Sequence, residues 1–118
     1  MGMTEATLKI SNPKNPQLSI TAKFLVDSGA GFTVIPADLV KKLELQPVYT
    51  KEFSLADGRV VKRKISTALI RFEKEELPSA VVLGEKNDSG LLGALTLESF
   101  GLVLDPFERK LYKAKLML

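Results

Sequence analysis

The sequence predicts an all-β fold with one or two short helices, the strands closed into a barrel or stacked as a sandwich. Two observations predict it. Short extended runs recur along the 118 residues, each broken by turn residues such as Asn12-Pro13, Asp57-Gly58 and Asp105-Pro106. Only two short segments, 36–43 and 94–100, carry helix signals.

Residues 7–11 alternate like a strand and stop at Asn12-Pro13-Lys14-Asn15-Pro16, a turn-rich segment. Residues 18–26 return as a longer strand, and 32–35 form a third. Pro36 opens a short helix whose late lysines, Lys41 and Lys42, suit the negative end of the helix dipole. Residues 47–55 and 59–72 are extended around Ala56-Asp57-Gly58, and Asp-Gly between two such runs signals a hairpin. Residues 73–78, rich in Glu and Lys, read as a charged surface loop, 80–83 as a short buried strand and 84–90 as a polar loop. A second helix over 94–100 is stopped by Gly101, and strands at 102–104 and 110–114 flank a turn at 105–108.

Composition sets the outer bounds. The length suits one domain spanning 1–118, and 45% hydrophobic with 26% charged residues is an ordinary globular balance. The segment from Met1 to Ala6 lacks the basic and apolar regions of a signal peptide, and no apolar run is long enough to cross a membrane. Without cysteine there is no disulfide framework, so a cytoplasmic protein is expected. The net charge of +3 is small and scattered. Its densest cluster, Lys62-Arg63-Lys64, reads as a solvated strand face, so neither nucleic acid nor membrane is expected as a partner.

The chain has no histidine and no cysteine. Ser-His-Asp and Cys-His catalysis, thiol redox chemistry and zinc sites of the usual Cys/His type are thereby excluded. Carboxylate chemistry, Ser/Lys chemistry or no chemistry remains, and no Ser-x-x-Lys lies where a lysine would be activated. Asp27 is the carboxylate that stands out. Phe24-Leu25-Val26 delivers it from an apolar strand, and Ser28-Gly29-Ala30-Gly31 turns the chain directly after it. Held against the core, a lone acid is costly to keep charged. On the residues alone Asp27 is either a catalytic acid or a carboxylate capping its own turn.

Leu25-Val26-Asp27-Ser28-Gly29-Ala30, followed much later by Leu91-Leu92-Gly93 and a short helix, resembles the retropepsin-like aspartic proteases. The Ala56-Asp57-Gly58 hairpin lies between the two motifs, where that family places its flap, and the likeness spans residues 18–105. The resemblance implies a closed acid-protease β-barrel acting as an aspartic endopeptidase on peptide or unfolded-protein substrates, with no cofactor and no metal. Such chemistry needs two carboxylates sharing a proton. One credible motif per chain therefore implies a symmetric homodimer in which both Asp27 side chains meet on the two-fold axis.

The resemblance also implies roles around Asp27. The Ser28 hydroxyl hydrogen-bonds across the dimer, Gly29 and Ala30 let the backbone turn and substrate approach, and Leu91, Leu92 and Gly93 pack beneath. Ala56, Asp57 and Gly58 close over the cleft. A second Asp-Ser-Gly at Asp88 follows a polar stretch, which places Asp88 in water as an ionised bystander. Retroviral members carry Asp where this chain has Gly31, and often Arg where it has Ala94; those two residues pair with each other, so losing both is self-consistent. Asp57 at the flap tip reads as turn chemistry. Phe32, Val34 and Leu83 read as pocket walls or as ordinary core. The alternative function is a non-catalytic dimerisation or peptide-binding module on the same fold.

Overall fold

In a computed structural model describing residues 3–115 and 117–118, β1 (Glu5–Asn12) and β2 (Asn15–Val26) form an antiparallel hairpin. Met1 and Gly2, part of the segment read for a signal peptide, lie outside the described residues. Along β1 the apolar residues Ala6, Leu8 and Ile10 alternate inward, the period of two that a half-buried strand requires. The turn is tighter than expected, because Asn15 and Pro16 already belong to β2. Asn12 also leaves the hairpin: its Nδ2 donates to the Leu43 carbonyl at 2.9 Å, tying the turn to the end of the first helix.

After β3 (Thr33–Ile35) comes α1 (Ala37–Lys42), then β4 (Tyr49–Ser54), β5 (Val60–Phe72), β6 (Glu75–Leu83) and β7 (Leu91–Leu92). Helix α2 (Ala94–Phe100) and the strands β8 (Leu102–Asp105) and β9 (Lys110–Lys113) complete the order. Seven strands form one sheet in the order β1-β2-β7-β3-β6-β5-β4. β1 also pairs with β5, at Lys9–Arg71, Ile10–Ile70 and Ser11–Leu69, so the sheet curls back onto its first strand. β8 and β9 form a separate two-stranded sheet.

Residues 73–78 are not a loop, contrary to the expectation from sequence. Only Glu73 and Lys74 turn, and β6 begins at Glu75, paired with Phe72. Glu73 supplies the positive φ, 55°, that a tight hairpin turn needs. Of the charges in this segment, Glu73 and Lys74 lie in the turn, and Glu75 and Glu76 are exposed at the start of the strand. Pro78 is tolerated because β3 pairs only with Val81, Val82 and Leu83, so the missing N–H falls where β3 does not reach.

The core lies inside the curled sheet. Phe24, Leu8, Ile10, Ile35, Ile70 and Leu92 are fully buried, and α2 closes one side with Leu97 and Phe100. Each such side chain contributes about 2 kcal/mol through lost apolar surface. No helix among the described residues is long and apolar enough to cross a membrane.

Candidate active site

β7 lies between β2 and β3, pairing parallel with the first and antiparallel with the second. The chain must therefore leave β2, pass over the end of β7 and drop into β3. That crossing is the loop of residues 27–32, and Asp27 opens it. Its N–H donates to the Leu92 carbonyl at 3.0 Å, and its Oδ1 accepts the Gly29 N–H at 3.0 Å. Ala30 closes the turn onto the Asp27 carbonyl at 3.1 Å. The carbonyls of Ala30 and Gly31 then accept the N–H groups of Ala94 and Leu95, at 2.7 and 2.9 Å. Those donors open α2 and have no partner inside the helix, so loop and helix satisfy each other.

Gly93 sits directly under the crossing. A Cβ there would lie 2.5 Å from the Phe32 carbonyl carbon and 2.9 Å from the Thr33 nitrogen, both backbone atoms. Only glycine fits.

A buried chain of hydroxyls fastens the same crossing from below, and the sequence reading missed it. The Gly93 N–H donates to Thr33 Oγ1 at 3.0 Å. Thr33 and Thr96 hydroxyls lie 2.6 Å apart, Thr96 and Ser79 2.9 Å, and Ser79 donates to the Ala80 carbonyl at 3.1 Å. Each hydroxyl has one proton to give, so the direction is fixed: Gly93 to Thr33 to Thr96 to Ser79 to Ala80. Thr33 and Thr96 are completely buried. A polar Thr96 on the same helix face as Leu97 and Phe100 was the available signal.

The side chain of Asp27 is exposed in the single chain, which corrects the expectation that it is held against the core. Its backbone is anchored by β7, while its carboxylate projects from the loop on the open side. It lines a cavity of about 350 Å3 with Met3, Leu25, Leu91, Leu104 and Pro106, where it is the sole acid. The neighbouring Ser28 is also exposed, and its hydroxyl has no hydrogen bond within the chain among those of the described residues.

On the other side of the loop lies a cleft of about 360 Å3. Gly29, Ala30 and Phe32 from the loop face Phe53 and Leu55 from the hairpin β4–β5 across it. Phe32 and Phe53 meet edge to face, with ring centres 5.7 Å apart. Val34 and Leu91 line the cleft, whereas Leu83 does not and is buried in the core. Leu91 borders both cavities and Leu92 is fully buried, so the two leucines divide between site and core.

The β4–β5 hairpin forms around Ala56-Asp57-Gly58 as expected, with Ser54 opposite Val60. Gly58 takes φ 87°, which a side chain would strain. Asp57 makes the turn itself: its Oδ1 accepts the Arg59 N–H at 3.0 Å and its Oδ2 meets Arg59 Nε at 2.7 Å. The tip residues Ala56, Asp57 and Gly58 are exposed and do not line the cleft; the arms of the hairpin do.

Asp88 is not free in water. It is half-buried and bound by the Arg63 guanidinium, Nε to Oδ2 at 2.8 Å and Nη2 to Oδ1 at 3.3 Å. Arg63 correspondingly turns inward while Lys62 and Lys64 stay exposed, so the basic cluster is not wholly a solvated face. The hydrogen bond from Arg63 holds the Asp88 carboxyl below the usual carboxylate range. Asp88 is thus ionised, as expected, but as half of an ion pair. Both partners border the cleft.

A strand-presented Asp-Ser-Gly loop, a crossing strand ending in Leu-Leu-Gly, and a hairpin over the cleft define a retropepsin-like aspartic protease. The chain belongs to the gag-polyprotein putative aspartyl protease family, whose model matches residues 19–99. Among solved structures it is similar to the solution structure of Simian Foamy Virus (mac) protease, with a TM-score of 0.57 and 17% identity over 80% of this chain and 92% of that one. At that identity the likeness is one of fold. No curated protein sequence matches the chain.

Proposed function

We propose that this chain is a single-domain aspartic endopeptidase whose site is completed by a second copy of itself. The exposed Asp27 carboxylate carries the reading. It is placed by the loop, borders an apolar cavity, and has no acid partner among the described residues that line it. A symmetric partner supplies the missing carboxylate. Met3, Val103 and Phe107, 73%, 38% and 93% exposed, lie on the chain segments that flank this cavity and offer apolar surface for it. The free Ser28 hydroxyl then finds an acceptor across the axis.

With the two Asp27 side chains together, like charges cannot both ionise, so the pair holds one proton. The ionised carboxylate takes a proton from a water held between them, and the resulting hydroxide attacks the scissile carbonyl carbon. The protonated carboxyl gives its proton to the carbonyl oxygen. On collapse of the tetrahedral intermediate the carboxyl that took the water proton gives it to the leaving amide nitrogen. The other carboxylate takes a hydroxyl proton from the intermediate as the C–N bond breaks, and the pair again carries one proton. No covalent bond to the enzyme forms, and no metal or cofactor is needed. The cleft between loop and hairpin grips an extended peptide along its backbone, and the hairpin closes over it as a flap that excludes bulk water. Lack of cysteine suits work in the cytoplasm.

Gly31 and Ala94 fit this reading. Their backbones carry the loop-to-helix bonds, and neither side chain leaves a charge unpaired. The proposal is tested by the specific activity of the purified chain on fluorescently labelled unfolded casein. Activity per chain rises with chain concentration as dimers form; activity per chain that is independent of concentration, in a protein that stays monomeric, contradicts it.

A further inference from the structure

The segment between β6 and β7 forms one wall of the cleft, and it is held in an unusual way. At one end Gly84 donates to the Ile35 carbonyl at 2.8 Å, and at the other the Gly90 carbonyl accepts the Leu25 N–H at 3.2 Å. Between these pins, residues 85–89 make a turn of their own. Asp88 N–H donates to the Glu85 carbonyl at 2.9 Å, and the Glu85 N–H donates to Asp88 Oδ2 at 2.8 Å. Among the described residues, every hydrogen bond or ion pair from 85–89 to another element runs to Arg63. These are the two bonds to Asp88 and a looser approach of Nη1 to Glu85 at 3.7 Å.

Arg63 stands on the return arm of the flap hairpin, opposite Lys51. The ion pair therefore joins two walls of the same cleft, 25 residues apart in sequence. Three of the five guanidinium N–H groups of Arg63 are engaged: those of Nε and Nη2 with Asp88, and one of Nη1 with the Lys62 carbonyl at 3.0 Å. A forked, two-point contact of this kind fixes direction as well as distance. Side-chain exposure of 21% and 27% shields it from much of the screening that weakens surface pairs.

We propose that Arg63 and Asp88 are positioning residues, a clamp that ties the flap's return arm to the wall loop 85–89 and so sets the width at which the cleft holds an extended peptide. The clamp touches neither Asp27 nor the scissile bond, so it governs substrate binding rather than chemistry. The inference rests on the protease reading only for its kinetic consequence; the tie between flap and wall is independent of it.

The test uses the full chain with Arg63→Met, Arg63→Lys, Asp88→Asn and the double variant Arg63→Met/Asp88→Asn. Asparagine keeps an oxygen for the Glu85 N–H, so Asp88→Asn removes the charge without dismantling the turn. Amide hydrogen exchange at residues 85–89 is read first, then KM and kcat on labelled unfolded casein. In either single variant exchange at 85–89 speeds up by about fivefold or more, the scale of one lost ion pair. KM rises by about the same factor, with kcat unchanged within about twofold. The double variant is no worse than the worse single one, since one broken tie cannot be broken twice. Arg63→Lys, which keeps the charge but loses the fork, falls between. Unchanged exchange at 85–89, strictly additive single effects, or a loss confined to kcat overturns the clamp. If the wild type cleaves nothing, the protease reading fails, and the exchange data alone decide whether the clamp exists.

Discussion

Asp27→Asn abolishes peptide-bond cleavage, lowering kcat by about 10⁴-fold, while the fold and the dimer persist. The amide is the same shape as the carboxylate and still presents an oxygen to the Gly29 N–H, the one hydrogen bond that the Asp27 side chain makes among the described residues. What it cannot do is take a proton from water. Because the side chain is exposed in the single chain, the change in fold stability stays within about 0.5 kcal/mol. Steady-state kinetics on unfolded casein, alongside a denaturation curve and sedimentation, separate the three quantities. An Asp27→Asn protein that cleaves as the wild type does moves the chemistry elsewhere. One that fails to fold assigns Asp27 the turn-capping role that the residues alone left open.

Gly93→Ala has the largest expected effect on the fold. The added methyl meets backbone, not a flexible side chain, at 2.5 Å from the Phe32 carbonyl carbon. Relief requires lifting the crossing off β7, which breaks the bonds of Ala30 and Gly31 to α2 and the Gly93 bond to Thr33. The cost is about 3 kcal/mol, the upper end for one inserted carbon in a packed site. It is read as a lower denaturant midpoint at unchanged slope. Since the lifted segment carries Asp27, activity is lost in the residual folded protein as well. A Gly93→Ala protein of wild-type stability and activity contradicts this account of the crossing.

The parts of the site written in local chemistry were legible in the sequence. Asp27-Ser28-Gly29-Ala30 announces a turn at the end of an apolar strand, and Asp57-Gly58 announces its hairpin. The parts made by distant residues were not. Asp88 looks solvated because its sequence neighbours are polar, yet its partner stands 25 residues away on another strand. Thr33 and Thr96 meet across 63 residues. The charges from Glu73 to Glu76 suggest a loop when read singly, yet Glu75 and Glu76 belong to a strand because the long β5 pairs with them. Asp27 shows the same limit from the other side. The apolar residues before it correctly place its backbone at the core, but do not say that its carboxylate turns away from it.

Whether one Asp27 is half of a site is tested most directly by the structure of the assembled protein and the separation of its two Asp27 carboxylates. A symmetric dimer with the two groups about 3 Å apart, close enough to share one proton, is the result expected. A monomer under conditions where casein is cleaved, or a dimer that holds the two carboxylates too far apart to share a proton, contradicts it.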